Sequence, residues 1–159
     1  SIEAVTGLKC QLKWPNDVLL NRKKVCGILI ETNILPDKVD YVVIGIGINV
    51  NLSASEHPGI QAIATSLTDE LGAAVSRITL LRRLFIEMEN LYTAGLKGSS
   101  IFPQWRDNLV TLGKLVRARN GEEIYEGIAE AVNEDGSLML RQTDGKLFRF
   151  TVGDVTLRE

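Results

Sequence analysis

Three apolar, β-prone runs separated by short polar segments occupy residues 12–51, and they constrain the fold more than any other part of the sequence. Residues 18–20 and 25–31 predict two strands that are joined by a basic turn at 21–23, which makes a hairpin. Residues 40–50 predict a third strand. Polar residues interrupt the pattern where the strands should end, and strand ends are where a sheet presents its chemistry. The stretch is therefore predicted to form the floor of a binding site.

The third of these strands carries two glycines inside an apolar run. Residues 41–44 show no polar alternation, so we expect both faces of this strand to be covered and the strand to be central in its sheet. Residues 34–38, just before it, predict a loop. Gly45 and Gly47 point to the same face, where the missing side chains would allow a ligand to approach closely. A bulge or a simple packing accommodation would explain the same two glycines.

Loop and helix signals follow the third strand. Residues 51–66 are small and polar and predict a long loop, of the kind that is usually either a functional lid or disordered. One helix is predicted at 65–71, ended by Gly72, and a longer one begins after Ser76 as its N-cap. In the longer helix, apolar residues recur every three or four positions and predict a buried face. That face consists of Ile78, Leu81, Leu84, Phe85, Met88, Leu91 and Tyr92. A short helix is predicted at 101–109.

From residue 112 onward the sequence changes to short β-prone segments with turn pairs between them. Strands are predicted at 114–119, 122–132, 137–142, 147–151 and 155–157. Asn-Gly and Asp-Gly pairs between them favour tight hairpins, because both central positions of that turn need a positive φ. Five short strands in so few residues are typical of a small SH3-like barrel. We place the domain boundary near 110–113, which gives domains 1–111 and 112–159.

Charge and hydropathy argue against several classes of partner. The 159 residues carry a formal net charge of −2 and a pI near 5.5, so no global field draws the chain to nucleic acid. No apolar run approaches the roughly 20 residues that span a bilayer, and the first residues lack the pattern of a signal peptide. We therefore predict no nucleic-acid partner, no membrane association and a cytoplasmic location.

Histidine and cysteine are too scarce for several common kinds of active site. His57 is the single histidine, which argues against a Ser-His-Asp, Cys-His or His-based zinc site. Cys10 and Cys26 match no CxxC motif, and their apolar surroundings are typical of buried free thiols rather than of a metal or redox centre. We predict no metal site built from the chain's own side chains. Any chemistry must rest on Lys, Arg, Asn, Asp and backbone groups.

The polar residues at the predicted strand ends are of suitable types for such a site. Asn16 and Asn49 offer planar amides with both a donor and an acceptor, as an adenine edge requires. Lys24 supplies a compact positive charge suited to a phosphate or a carboxylate. Asp17 could bind a ribose hydroxyl or help to hold Mg²⁺. The residues alone leave plainer readings open, in which Lys24 belongs to a solvated hairpin tip and Asn16 and Asp17 form an ordinary turn.

The order and spacing of three blocks decide between these readings. Lys-Trp-Pro-Asn-Asp at 13–17 precedes a Lys-x-x-Gly block from Lys24 to Gly27, and Gly-x-Gly-Ile-Asn follows at 45–49. This order resembles the second half of the catalytic domain of biotin protein ligases. The five-strand segment resembles that family's C-terminal SH3-like domain. The implied fold is α+β, with part of a class II synthetase-like mixed sheet and its helices followed by a small SH3-like barrel.

The resemblance implies a two-step ligase that uses ATP, biotin and Mg²⁺. Biotin and MgATP give biotinyl-5′-adenylate and pyrophosphate, and a lysine of the biotin carboxyl carrier domain of a carboxylase then attacks the acyl group. Lys24 matches the family's active-site lysine, and residues 51–66 match its adenylate-binding loop. The implied positions that bind nucleotide or biotin are Lys13, Asn16, Asp17, Gly27, Gly45, Gly47, Asn49 and Arg158.

The sequence also departs from the family pattern. The family's Gly-Arg-Gly-Arg-type loop, which closes over biotin, lies upstream of the Lys-Trp-Pro-Asn-Asp block and is absent from this sequence, as are the early strands and helices of the biotin pocket. The chain begins without Met and soon enters a strand predicted at 8–13. We therefore expect this chain by itself to lack part of the pocket and not to make the adenylate.

Two other functions compete with this one. A lipoate ligase would share the catalytic architecture but would differ in its C-terminal region. A non-catalytic binding or dimerisation module would act through the barrel or through an exposed sheet edge. Because members of the resembled family often pair through this sheet, we also predict a homodimer.

Overall fold

The computed structural model describes residues 1–53, 57–151 and 153–158. The chain divides into two compact units. The N-terminal unit comprises Ser1–Cys10 and Asn16–Thr93, and the C-terminal unit comprises Gln11–Pro15 and Ala94–Glu159. Each unit contains an antiparallel sheet, so the predicted α+β class is confirmed. The domain boundary predicted near 110–113 stays a prediction.

The N-terminal unit is a hairpin sheet with helices. Its elements are α1 (Ile2–Thr6), β2 (Asp17–Leu20), β3 (Lys23–Leu35), β4 (Lys38–Ile48), α2 (Leu67–Leu71) and α3 (Arg77–Leu96); β1 belongs to the other unit. Helix α1 was not predicted, and the strand expected at 8–13 is shorter, since β1 covers only Gln11–Lys13. None of the helices in the described ranges is both long enough and apolar enough to cross a membrane.

The predicted hairpin of β2 and β3 is confirmed. Its turn holds Asn21 at φ 47° and Arg22 at φ 69°, the positive values of a type I′ connection. Asn tolerates this conformation, but for Arg22 the left-handed region costs roughly 1–2 kcal/mol. Contacts around the turn must therefore hold it in place.

The loop expected at 34–38 is wrong. Strand β3 runs to Leu35 and β4 begins at Lys38, so only Pro36 and Asp37 make the turn. The proline fixes φ at a value that a turn accepts, and the β-branched and aliphatic residues before it continue the ladder rather than leave it.

Strand β4 is not covered on both faces, which corrects a second expectation. Tyr41 is 57% exposed and Ile44 is 47% exposed. The strand lies at the end of the sheet order, paired with β3. The unbroken apolar pattern indicates that burial would be favourable for this strand. It does not show whether other residues cover the strand.

The two helices that follow are confirmed, and so is the Ser76 cap, whereas the Ser66 cap was not predicted. Ser66 accepts a hydrogen bond from the Asp69 backbone N–H at 3.1 Å, and Ser76 does the same for Thr79 at 3.3 Å. The predicted buried face of α3 is wrong, because Leu80 is its buried residue. Members of the predicted stripe are open to solvent: Ile78, Leu81, Phe85, Leu91 and Tyr92 are between 48% and 73% exposed.

A small apolar core lies on one side of the N-terminal sheet. Val25 and Leu67 are fully buried and pack with residues of α1, β2 and α3. The cluster comprises Ile2, Leu20, Val25, Cys26, Leu67, Val75 and Leu80. Helices α1, α2 and α3 each contribute to it, so the core fixes one face of β3 and leaves the other available.

The C-terminal unit contains β1, α4 (Phe102–Asp107) and five further strands. These are β5 (Leu115–Asn120), β6 (Glu123–Val132), β7 (Leu138–Arg141), β8 (Leu147–Phe150) and β9 (Asp154–Leu157), and all five match predicted strands. Their order is β8-β7-β6-β5-β9, an antiparallel sheet whose two ends are not paired with each other among the described residues. Closure into a barrel is thus not confirmed.

Trp14 is the anchor of the C-terminal unit's core. Its side chain is 1% exposed, its backbone N–H donates to Thr111 Oγ1 at 2.9 Å, and its Nε1–H donates to the Gly136 carbonyl at 2.8 Å. It packs with Val116, Leu138, Leu140, Phe150 and their neighbours. The aromatic residue of the Lys-Trp-Pro-Asn-Asp block is therefore a core residue of this unit.

Candidate functional site

A bulge in the first hairpin determines where Lys24 points. Across the strands Val18 pairs with Cys26 but Leu19 pairs with Lys24, so β3 contains one extra residue, Val25. An extra residue shifts the alternation of side chains along a strand by one. Lys24 and Gly27 therefore share a face, although three positions apart they would lie on opposite faces of a regular strand.

Lys24 and Asp17 form an ion pair on that face. Lys24 Nζ lies 2.5 Å from Asp17 Oδ1, and the two side chains are 47% and 11% exposed. Asp17 is the cross-strand partner of Gly27, which places the carboxylate directly beside the ammonium group. The Asp17 side chain is mostly buried and the Lys24 side chain is half exposed, so the ammonium is the more accessible partner of this ion pair.

Glycine keeps the space next to this charge clear. A Cβ added at Gly27 would lie 3.0 Å from both Cε and Nζ of Lys24. Gly47 is directly opposite Gly27, and Gly45 is opposite Leu29. Directly opposite residues share a face, so Gly27, Gly45 and Gly47 expose backbone in a row that begins at Lys24. The three predicted glycines therefore lie on the same face of the sheet.

Two cavities in the described part of the N-terminal unit lie on the opposite face of the sheet. They measure about 500 Å³ and about 190 Å³, and both are lined by Ile46, Ile48 and Leu84. Because Ile46 and Ile48 alternate with Gly45 and Gly47, these cavities cannot be the space above Lys24. We therefore identify the candidate site by the charge and the glycine row rather than by either cavity.

Asn16 and Asn49 are tied to the strands around Lys24. Asn16 Nδ2 donates to the Ile28 carbonyl at 2.6 Å, while the Ile28 N–H donates to the Asn16 carbonyl at 3.0 Å. Asn49 Nδ2 donates to the Thr65 carbonyl at 3.0 Å, and its N–H donates to Val25 at 2.8 Å. Each amide thus uses a donor to fix local backbone, a role that the sequence did not predict.

The end of the long predicted loop runs beside Lys24. The Lys24 N–H donates to the Ile63 carbonyl, and the Thr65 N–H donates to the Lys24 carbonyl, each at 2.9 Å. Residues 57–64 also bond among themselves, as in Ala64 N–H to the Ile60 carbonyl at 2.8 Å. Positions 54–56 of the predicted loop lie outside the described residues. Its described C-terminal end is an ordered neighbour of the site.

Lys13 and Arg158 belong to the C-terminal unit. Lys13 ends β1. Arg158 follows β9, and its Nη2 donates to Glu126 Oε1 at 3.2 Å. Hydrogen bonds from Arg117 first, and from Arg158 second, hold the pKa of the Glu126 carboxyl below its usual value. The structure therefore brings Lys24, Asp17 and Gly27 together, whereas Asn49 also lines the cavity of about 500 Å³. Arg158 has its described ion pair within its own unit.

The matches with known proteins cover both ends of the chain. Residues 1–49 match the Biotin/lipoate A/B protein ligase family, and residues 111–158 match the Biotin protein ligase C terminal domain. The crystal structure of a biotin protein ligase from Aquifex aeolicus superposes with a TM-score of 0.76 at 30% identity, over 99% of this chain and 68% of that one. The chain belongs to the biotin protein ligase family.

Other relatives support the same family assignment. The bifunctional ligase/repressor BirA of Bacillus subtilis (strain 168) is 34% identical over 149 residues, which are 91% of this chain and 45% of that protein. The biotin–[acetyl-CoA-carboxylase] ligase of Paracoccus denitrificans is 35% identical over 142 residues, 85% of this chain and 58% of that protein. The chain thus spans about half the length of these relatives. An Aquifex aeolicus ligase in complex with biotin and ATP has a TM-score of 0.77 at 28% identity, over 99% of this chain and 65% of that one.

Both cysteines are free thiols, and Cys26 is buried as predicted, whereas Cys10 is only partly buried. Burial is the main cause that raises the pKa of Cys26 to about 11, and it also raises the pKa of Cys10. A thiol with a raised pKa is a poor nucleophile near neutral pH. Among the residues that the structure describes, no three His, Cys, Asp or Glu side chains cluster as metal ligands.

Proposed function

We propose that the protein containing this chain is an ATP-dependent biotin ligase. In the first step a biotin carboxylate oxygen attacks the α-phosphorus of ATP, which forms biotinyl-5′-adenylate and releases pyrophosphate. In the second step the amine of a lysine of the biotin carboxyl carrier domain attacks the acyl carbon, an amide forms and AMP leaves. The observation that carries the proposal is Lys24, held 2.5 Å from Asp17 beside a row of glycines in a member of this family.

Lys24 has the properties that the first step requires. Two anions, the biotin carboxylate and the α-phosphate, must approach each other, and negative charge grows on the phosphate oxygens in the transition state. A fixed ammonium group lowers the energy of that charge without having to reorganise. Asp17 Oδ1 lies 2.5 Å from the ammonium nitrogen, the Lys24 side chain is half exposed, and Nζ lies beside Gly27.

The glycine row suits a ligand that lies flat on the sheet. At Gly27, Gly45 and Gly47 the backbone can be approached without a side chain in the way. We assign biotin and the adenylate to this surface. The nucleotide side is assigned to Asn16 and Asn49. Lys13 and Arg158 remain proposed ligand-binding positions. A cytoplasmic location also remains a prediction.

Magnesium enters this proposal with the nucleotide. The nearest carboxylate, Asp17, is already paired with Lys24, and the described residues offer no cluster of three acidic ligands. Mg²⁺ commonly binds through one or two carboxylates together with substrate phosphates. The residues present therefore fit a metal held chiefly by the ATP phosphates, where it would neutralise the charge on the leaving pyrophosphate.

The role of Lys24 can be tested in the full-length protein. Lys24→Ala should lower the rate of adenylate formation by about a hundredfold or more, because it removes a positioned charge from the transition state. Lys38→Ala, at the far end of the β3–β4 hairpin, is the matched control and should leave the rate unchanged. Pyrophosphate release with biotin and MgATP measures the step. An unchanged rate in Lys24→Ala would refute the role given to this lysine.

Biotin is favoured over lipoate as the substrate. The N-terminal match covers both biotin and lipoate ligases, but residues 111–158 match the C-terminal domain of biotin protein ligases specifically. Competition between unlabelled biotin and labelled lipoate for transfer to a carrier domain separates the two. Transfer of lipoate that excess biotin does not reduce would overturn the assignment.

A binding or dimerisation module is the second candidate, favoured by the exposed apolar surface of the hairpin. Leu29 is 60% exposed and Ile30 is 59% exposed, and β4 ends the sheet. We propose that the β4 edge of the hairpin pairs with a second copy of the protein to form a homodimer. Sedimentation of the full-length protein tests the dimer. Calorimetry with biotin and with ATP, on this chain and on the full-length protein, tests the module: silence from both proteins with both ligands would favour it over the ligase.

A further inference from the structure

The turn that precedes Lys24 has an unfavourable backbone conformation. Both central residues have a positive φ, and neither Asn21 nor Arg22 is glycine. Arginine rarely adopts this conformation, and residues held in such regions persist only where the surroundings fix them. Contacts from outside the hairpin should therefore decide whether the tip keeps the geometry that aligns Lys24.

Glu70 of α2 supplies such contacts with both oxygens of its carboxylate. Asn21 Nδ2 donates to Glu70 Oε2, and Thr65 Oγ1 donates to Glu70 Oε1 at 2.6 Å. Thr65 is 3% exposed, so its hydroxyl is held in a defined place. Hydrogen bonds to a charged acceptor are stronger than neutral ones. The carboxylate thus links the turn to a buried residue of the segment that runs beside it.

The same segment bonds directly to Lys24. Thr65 donates its backbone N–H to the Lys24 carbonyl at 2.9 Å. Glu70 therefore holds two points, the turn at Asn21 and the backbone next to Lys24, and these points are three residues apart along the chain. Helix α2, which carries Glu70, is itself fixed by the Ser66 cap and by fully buried Leu67.

We propose that Glu70 is a positioning residue for Lys24. Its carboxylate clamps the hairpin tip to Thr65 and thereby fixes the ammonium group where adenylate formation requires it. Glu70 is not described in contact with Lys24's ammonium group, so it acts through the backbone and not on the reacting atoms. The proposal rests on the function proposed above, and it adds a residue that the sequence motifs do not include.

The test compares two variants of Glu70 with a matched control in the full-length protein. Glu70→Ala should lower kcat for adenylate formation about tenfold while changing the KM for ATP less than about threefold, because a misplaced charge is felt mainly in the transition state. Glu70→Gln keeps an oxygen that accepts from one partner, so its kcat should lie between those of Glu70→Ala and the wild type. Glu89→Gln, on exposed α3, is the control and should match the wild type.

A rescue experiment separates positioning from general loss of structure. Glycine adopts a positive φ without steric cost, so in Arg22→Gly the turn should depend less on the contact with Glu70 to keep its shape. The effect of Glu70→Ala on kcat should therefore shrink at least about threefold in the Arg22→Gly background, in a double-mutant cycle. Thr65→Ser keeps the hydroxyl and should retain activity, whereas Thr65→Val should resemble Glu70→Ala.

The outcomes are distinguishable from failure of the proposed function. If wild-type protein makes no adenylate, or Lys24→Ala does not slow it, the ligase proposal fails. If Lys24→Ala is severely impaired but folded Glu70→Ala and Glu70→Gln keep the wild-type kcat, the positioning role alone is overturned. An equal loss for Glu70→Ala in both backgrounds would also overturn it, because the turn would then not be the element through which Glu70 acts. Should Glu70→Ala fail to fold, Glu70→Gln and Thr65→Val decide by the same criteria.

Discussion

Replacing Gly27 should separate activity from stability. A Cβ at this position would lie 3.0 Å from Cε and Nζ of Lys24, closer than the 3.4 Å at which ordinary contacts begin. The end of the lysine is flexible, so it can retreat, but only by moving away from the Asp17 carboxylate that now lies 2.5 Å from Nζ. The backbone has no such conflict, because Gly27 has no positive φ.

The substitution should affect the free energy of unfolding and the rate of adenylate formation in opposite directions. Glycine inside a strand is destabilising by roughly 0.5–1 kcal/mol relative to alanine, so Gly27→Ala should leave the free energy of unfolding equal or slightly higher. A misplacement of about 1 Å at a reacting centre can cost about a hundredfold in rate. The smaller shift that alanine forces should slow adenylate formation about tenfold, or about 1.4 kcal/mol, and Gly27→Val should approach the larger loss.

The assay is pyrophosphate release by the full-length protein, measured beside urea unfolding of each variant. Gly95→Ala is the matched control, because an added Cβ there meets nothing within 4 Å. It should leave the rate unchanged. Wild-type rates in a folded Gly27→Val variant would refute the reasoning, since they would mean that the position of Lys24 over this glycine does not matter for the chemistry.

Three further predictions concern stability and thiol reactivity. Trp14→Ala should lower the free energy of unfolding by about 3–5 kcal/mol, and Trp14→Phe by less, since phenylalanine fills the site but lacks the indole donor; urea unfolding measures both. Arg117 first and Arg158 second lower the pKa of Glu126 from 4.5, so the stabilisation they give is present above that ordinary value and is lost as pH falls through the lowered one. Unfolding curves of Glu126→Gln and wild type should therefore converge in acid, and a gap that persists there would contradict the ion-pair explanation. Burial raises the pKa of Cys26 from 9.0 to about 11, so its thiol should react with iodoacetamide near neutral pH only after unfolding, and the stability that its protonated form gives should be lost as pH rises through that range. Rapid labelling of native Cys26 would contradict its burial.

Much of the candidate site could be predicted because it depends on short stretches of chain. The Lys-x-x-Gly block places Lys24 and Gly27 on one strand, and alternation places Gly45 and Gly47 on one face of another. The register then makes Gly27 and Gly47 partners. The roles of these residues remain predictions. Their places on two neighbouring strands could be predicted from spacing, but the shared face of Lys24 and Gly27 could not, because it depends on the bulge at Val25.

Other parts of the site could not be predicted because they depend on contacts between distant segments. Glu70 bonds to Asn21 across 49 residues, and nothing in the local sequence pairs them. The donors of Asn16 and Asn49 are occupied by strand and loop carbonyls, which an argument from side-chain chemistry alone could not foresee. Periodicity likewise identified α3 as amphipathic but not which of its residues are buried, because that depends on what packs against it.

The sequence by itself determined the five strand segments of the C-terminal unit, the β2–β3 hairpin and the Ser76 cap, because each depends on the conformational preferences of a few adjacent residues. The expectation that the chemistry rests on Lys, Arg, Asn, Asp and backbone groups stays a prediction. Only the tertiary structure decided that Trp14 belongs to the core of the C-terminal unit and that β4 and most of α3 are exposed. The bulge at Val25 is the clearest case: one extra residue, visible only once β2 and β3 are paired, turns Lys24 to the face of Gly27 and brings its charge to Asp17.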